Sequence, residues 1–234
     1  MKSLAAILVL LALAGCGTNS RTSEFRPGSA TVRAVIGEVQ YWNGEVWDRL
    51  RVNLDLTNGS RIRTGPASRT YLSVGRRATV KLFEGTEAEL TAMMVRHHVG
   101  RDATRTVLEL RQGSILGSIK ESSPDSEFQV RSGAVTLDLR AGDFQFSAER
   151  RVQSIIGEMT VQASGKTYQL STGEYFDLKK NEVGKLPSPI IIEVPYYPWT
   201  NMSSGSWPGS SSLSPFDRGL QNARHGWVDA PAGN

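Results

Sequence analysis

The chain has 234 residues, of which 39% are apolar, with 27 basic and 23 acidic side chains and a formal charge of +4. That length allows one domain of ordinary size with tails, or two small ones. The mild, diluted charge excludes a nucleic-acid-binding polycation, and a single cysteine excludes a disulfide framework and any paired-thiol metal site.

The chain opens with Lys2 and an apolar run from Leu4 to Leu13. Ten such residues are too few to cross about 30 Å of hydrocarbon, so they read as the apolar part of a secretory signal. Small residues follow, and then the only cysteine. Leu13-Ala14-Gly15-Cys16 resembles the lipobox of bacterial lipoproteins. In that class the cysteine thiol is diacylated and the chain is cut before it. The resemblance implies a mature chain of 219 residues after loss of residues 1–15. Two or more acyl chains, each contributing about 0.8 kcal/mol per buried methylene, give stable attachment where one chain is marginal. The sorting rule of the class retains proteins with an aspartate after the cysteine in the inner membrane. Gly17 stands there, which implies the outer membrane, with the protein facing the periplasm. No later stretch approaches 18 apolar residues.

Residues 16–29, "CGTNSRTSEFRPGS", are polar and glycine- and serine-rich, and read as a flexible tether with a reach of roughly 20 Å. From residue 30 to about 180 short runs alternate apolar and polar between glycines. "SRTYLSV" and "ATVKLF" flank the turn Gly75-Arg76-Arg77, and "TVQASGKTYQL" reads as a hairpin around Ser164-Gly165-Lys166. "GTEAELTAMMVRHH" is the best helix candidate, but Leu90, Ala92 and Met94 alternate, so most of it reads as strand. The period of two, with valine, threonine, tyrosine and phenylalanine filling the runs, predicts one all-β domain. About a dozen short strands would pack as a two-sheet sandwich or roll.

The domain also repeats itself. "VRAVIGEV" (32–39) matches "VQSIIGEM" (152–159), "RQGSI" (111–115) is a shorter echo, and "TNGSRI" and "STGEYF" supply a second glycine step after the longer copies. Gly37 and Gly157 are expected to bend the chain from one sheet into the other at equivalent places, with Gly65 a further bend.

The run "VIGEVQYWNGEVWDRLRVNLDLTNGSRIRTGPASRTYLSV" resembles the FecR domain, a periplasmic β module. The resemblance rests on Gly37 to Val39, Trp47 and Leu50, then Gly59 to Gly65 with Ser68 and Leu72, followed in order by "VKLFEGTEAEL", "LELRQGSI" and "FQV". One motif departs: the family's arginine-glycine-threonine-x-phenylalanine bend is here Arg140-Ala141-Gly142-Asp143-Phe144, with the glycine displaced. The family's regulators pass a signal across the inner membrane to a sigma factor, which requires a spanning helix and a cytoplasmic segment. Everything before Cys16 reads as signal, so the resemblance implies a surface-binding β domain and not sigma-factor regulation.

No catalytic or cofactor motif stands out. "SGKT" (164–167) lacks the glycine that a phosphate loop needs, since position 160 is Thr160. His97 and His98 are adjacent, so on a strand they point apart and cannot share a metal ion. Glu84 and Glu87 flank a glycine turn and read as solvated. The chain therefore reads as a non-enzymatic binding or scaffolding module without cofactor or metal. Its partner would be an envelope protein or glycan; the alternative is an envelope enzyme acting on glycan or peptide through a shallow site. Residues 61–111 hold ten basic side chains against five acids, and Arg61, Arg63, Arg69, Arg76, Arg77 and Lys81 form a candidate anion patch. The simpler role for them is a solvated, aggregation-resistant strand face. Residues 181–234 are rich in proline, glycine and serine and read as a mostly disordered tail. Its Trp199, Trp207 and Trp227 are candidate docking elements or lie back on the domain.

Overall fold

The computed structural model describes residues 24–98, 101–120 and 123–186. Nineteen strands and no helix occur among them. In chain order these are β1 (Arg26–Pro27), β2 (Ala30–Ile36), β3 (Val39–Trp42), β4 (Trp47–Arg49), β5 (Asp55–Leu56), β6 (Arg61–Thr64), β7 (Arg69–Val74), β8 (Ala78–Leu82), β9 (Glu87–His98) and β10 (Arg101–Gln112). There follow β11 (Ser114–Ile119), β12 (Glu127–Ser132), β13 (Val135–Leu139), β14 (Gly142–Ser147), β15 (Arg151–Ile156), β16 (Met159–Ala163), β17 (Lys166–Leu170), β18 (Glu174–Asp177) and β19 (Glu182–Lys185). The count exceeds a dozen because glycines split the longer alternating runs. The strands also extend beyond 30–180, with β1 inside the stretch read as tether and β19 inside that read as tail.

Two sheets form. One has ten strands in the order β17-β16-β13-β12-β10-β9-β6-β3-β4, with β1 beside β9; the other has nine, β19-β18-β15-β14-β11-β8-β7-β2-β5. The chain works along the sandwich from β2 to β19, passing repeatedly from one sheet to the other. β10 and β12 run parallel, while both hairpin partners of that pair, β9 and β13, are antiparallel to them. Inward-facing Leu72, Val80, Ile115, Phe144, Phe146 and Phe176 meet Ile62, Leu108, Val130, Leu137 and Val161 from the other sheet in one buried core. A core residue such as these contributes roughly 1.5–3 kcal/mol when fully buried.

Glycine sets the crossings. β2 leaves the nine-stranded sheet at Gly37 (φ 77°) and enters the ten-stranded sheet as β3, and β15 does the same at Gly157 (φ 93°) to become β16. Each has a returning partner beside it: β6 crosses to β7 through Gly65 to Ser68, and β17 crosses to β18 through Ser171 to Gly173. The returning step that matches "STGEYF" is therefore Gly65–Ser68, not the "TNGSRI" glycine. Gly59 (φ 84°) turns the chain between β5 and β6 instead. The echo at Gly113 (φ 79°) is a third crossing, from β10 to β11, beside the β8-to-β9 step. A hydroxyl latches each one. Ser68 Oγ accepts from the Glu38 N–H at 2.8 Å, Thr86 Oγ1 accepts from Ser114 N–H at 3.1 Å, and Thr172 Oγ1 accepts from Gly157 N–H at 2.9 Å. A side chain could not fit at two of these bends: a Cβ on Gly37 would overlap Ser68, and one on Gly113 would overlap Thr86. The displaced glycine of the 140–144 bend also serves a crossing. Gly142 (φ 129°) starts β14 against the Ile156 carbonyl, and Phe144 goes into the core.

The helix candidate is β9, paired along its length with β10. At Ser164-Gly165 both residues have positive φ, 51° and 74°, as a two-residue hairpin turn requires.

Candidate functional site

The six cations of the candidate patch do not converge. Arg61 and Arg63 sit on the outer face of the ten-stranded sheet, Arg69 and Lys81 on the outer face of the nine-stranded sheet, and Arg76 and Arg77 in the β7–β8 turn. Residues Gly65 to Ser68 carry the chain between the first two groups.

Arg61 and Arg63 instead join an aromatic pair at one end of the ten-stranded sheet. The four residues Asn43 to Val46 close the β3–β4 hairpin, with Asn43 Oδ1 accepting from the backbone N–H groups of Glu45 (2.9 Å) and Val46 (3.0 Å). That register sets Trp42 opposite Trp47, ring centroids 5.8 Å apart and edge to face. The guanidinium carbon of Arg63 lies 4.2 Å from the centre of the Trp47 ring and that of Arg61 5.4 Å. Each such contact contributes about 0.5–1 kcal/mol at an exposed site. Arg61 also donates to the Glu87 carboxylate at 2.6 Å, and Arg63 Nε to Gln40 Oε1 at 2.7 Å. Glu87 is thus paired rather than freely solvated, and Glu84 accepts from the Ala67 N–H at 2.9 Å. Beside the cluster Val46 is 55% exposed, and β4 is an edge strand of its sheet. An indole face, two guanidiniums and an exposed valine can stack on a ring, pair with a carboxylate or phosphate, and bury apolar area. "YWNGEVW" carries the signal for this pair, because a four-residue hairpin loop, Asn43 to Val46, sets the two tryptophans that flank it opposite each other; of the two, only Trp47 belongs to the FecR-like motifs.

The rest of that outer face is a hydrogen-bonded polar ladder. Arg111 pairs with Glu89 at 2.6 Å, Arg131 Nε donates to Gln129 at 2.7 Å, and Asp138 accepts from Gln129 (2.5 Å) and Gln162 (3.2 Å). A shallow depression of about 770 Å³ lies over Gln129, Asp138, Arg140, Glu158 and Gln162. Among the described residues no three His, Cys, Asp or Glu side chains gather as metal ligands, and no helix is long and apolar enough to cross a membrane. His97 Nδ1 lies 3.0 Å from Asp102 Oδ1, next to the β9–β10 tip. Leu13, Ala14, Gly15 and Cys16, and Trp199, Trp207 and Trp227, lie outside the described residues.

Fold and site together define an all-β sandwich with a surface tryptophan–arginine cluster. No family model and no curated protein matches the chain. Two crystal structures of a "putative anti-sigma factor" from Parabacteroides distasonis ATCC 8503 resemble it in part, with TM-scores of 0.43 and 0.42 at 15% and 17% identity. Each comparison covers 54% of this chain and 58% of the other, so the chain spans little more than half the length of those structures.

Proposed function

We propose that this chain is an envelope lipoprotein whose FecR-like β domain binds or scaffolds an envelope protein or glycan. Acyl chains on Cys16 hold it on a membrane, the outer one by the residue at Gly17, and the domain faces the periplasm. The motif order supports the domain reading, and the structure gives those motif residues a common physical role. Gly37, Gly65 and Ser68 build one crossing, while Leu50 and Ile62 fill the core beneath it. The observation that carries the binding role is the Trp42–Trp47–Arg61–Arg63 cluster on an edge of the sheet. Tryptophan and arginine dominate binding hot spots, and here both stand at the surface in a fixed geometry.

Crosslinked pull-down from native membranes tests this, comparing the wild-type chain with Trp47→Ala. A desolvated tryptophan carries about 2 kcal/mol or more of binding, so recovery of the partner falls by at least about tenfold. The folded state survives, because Trp47 lies outside the core cluster. Equal recovery from both chains contradicts the assignment of the site.

A further inference from the structure

The outer face of the nine-stranded sheet is buried where an open sheet face should be wet. Pairing registers place Tyr71, Lys81, Leu116, Gln145, Gln153 and Tyr175 in one row across β7, β8, β11, β14, β15 and β18, all pointing away from the core. Lys81 is only 3% exposed, Leu116 5% and Gln153 1%. Ile155, on the same strand as Gln153, is 8% exposed. Leu116 and Ile155 are buried yet belong to no part of the core cluster. Gln153 Nε2 is buried without a hydrogen-bond partner. Neighbours on the same face shield a side chain only from the sides, and the described strands all lie within the two sheets. Burial this deep calls for another layer.

We propose that residues 187–199 of this chain form that layer, an extended strap across the nine-stranded sheet with the Glu193 carboxylate against Lys81. Three observations select this occupant. The described chain ends at Leu186, just after β19, and β19 is the edge strand of this same sheet. The start of the described chain lies elsewhere, since β1 pairs with β9 in the other sheet. The segment "PSPIIIEVPYYPW" is the most apolar stretch after Leu186. Its four prolines suit an extended chain that crosses strands without joining their ladders. The reach also fits. β8 lies five strand spacings from β19, about 24 Å, and the seven residues from Leu186 to Glu193 span about 23 Å when extended. Glu193 is the one acid between Pro187 and Trp199. It meets a face that carries Arg69, Lys81 and Arg151, with the Lys81 ammonium 5.3 Å from the Tyr71 ring centre and 4.7 Å from that of Phe83. A deeply buried ammonium is held by a carboxylate as well as by rings.

Lysine acylation by an N-hydroxysuccinimidyl ester, read residue by residue by mass spectrometry, tests the strap. Exposed Lys166 and Lys180 serve as internal references. Deleting residues 187–234 raises the labelling of Lys81 at least about tenfold, because reaction no longer waits for local opening. Deleting 200–234 leaves it unchanged. In the full chain Glu193→Lys raises it as well. Lys81 still protected after the longer deletion, with both references unchanged, overturns the proposal. Protection that then falls on dilution assigns the cover to a second copy, and protection lost on removing residues 1–23 assigns it to the other end; both outcomes overturn it. If the longer deletion unfolds the domain, every buried position labels together and Glu193→Lys decides, with unchanged protection overturning the strap.

Discussion

At the scale of single residues the fold depends on a few glycines that turn the chain between sheets. Gly37 combines two constraints, a left-handed φ of 77° and a Cβ position occupied by Ser68. The first costs about 1–2 kcal/mol for any other residue. The second displaces the Ser68 hydroxyl and its bond to the Glu38 N–H, a further loss of about 1 kcal/mol. Gly37→Ala is therefore expected to lower stability by about 2–3 kcal/mol in urea titration. Gly59 separates the two constraints, since its φ is 84° but no atom lies within 4 Å of its Cβ position. Gly59→Ala is expected to cost only the first of these, about 1–2 kcal/mol. Equal losses at the two positions would mean that the Ser68 latch contributes nothing.

At the scale of elements, strand period was legible and sheet membership was not. Alternation in "RTYLSV" and "ATVKL" identifies which residues share one face of β7 and of β8, and glycines with flanking apolar runs mark where strands end. Alternation does not say which sheet a strand joins. Arg63 and Arg69 are six positions apart and look like continuations of one polar face, yet the crossing between them sends them to opposite sides of the sandwich. The aromatic cluster was half legible for the same reason. The four-residue loop from Asn43 to Val46 pairs Trp42 with Trp47, but the arrival of Arg61 and Arg63 from β6 depends on a long-range pairing of β3 with β6. The tail yields a prediction at this scale too. Residues 200–234 hold seven serines, five glycines and three prolines around Trp207, Phe216 and Trp227, and they leave too little apolar surface to add core. Their deletion is expected to leave the melting temperature unchanged. A drop of several degrees would show that Trp207, Phe216 or Trp227 packs on the domain.

At the scale of the whole molecule the proposed function joins a lipid anchor to a binding surface. The proposed anchor rests on four residues, Leu13 to Cys16, and the surface on strands brought together by folding. The two are independent in chemistry, but the proposed role needs both, because a binding module in the envelope acts only where its anchor holds it. Metabolic labelling with a palmitate analogue tests the anchor directly. The wild-type chain is expected to take up label and to lose residues 1–15, while Cys16→Ser takes up none and keeps its leader, since the lone thiol is the only site for thioether attachment. Label persisting in Cys16→Ser, or absent from the wild-type chain, would contradict the lipid anchor and with it the envelope assignment.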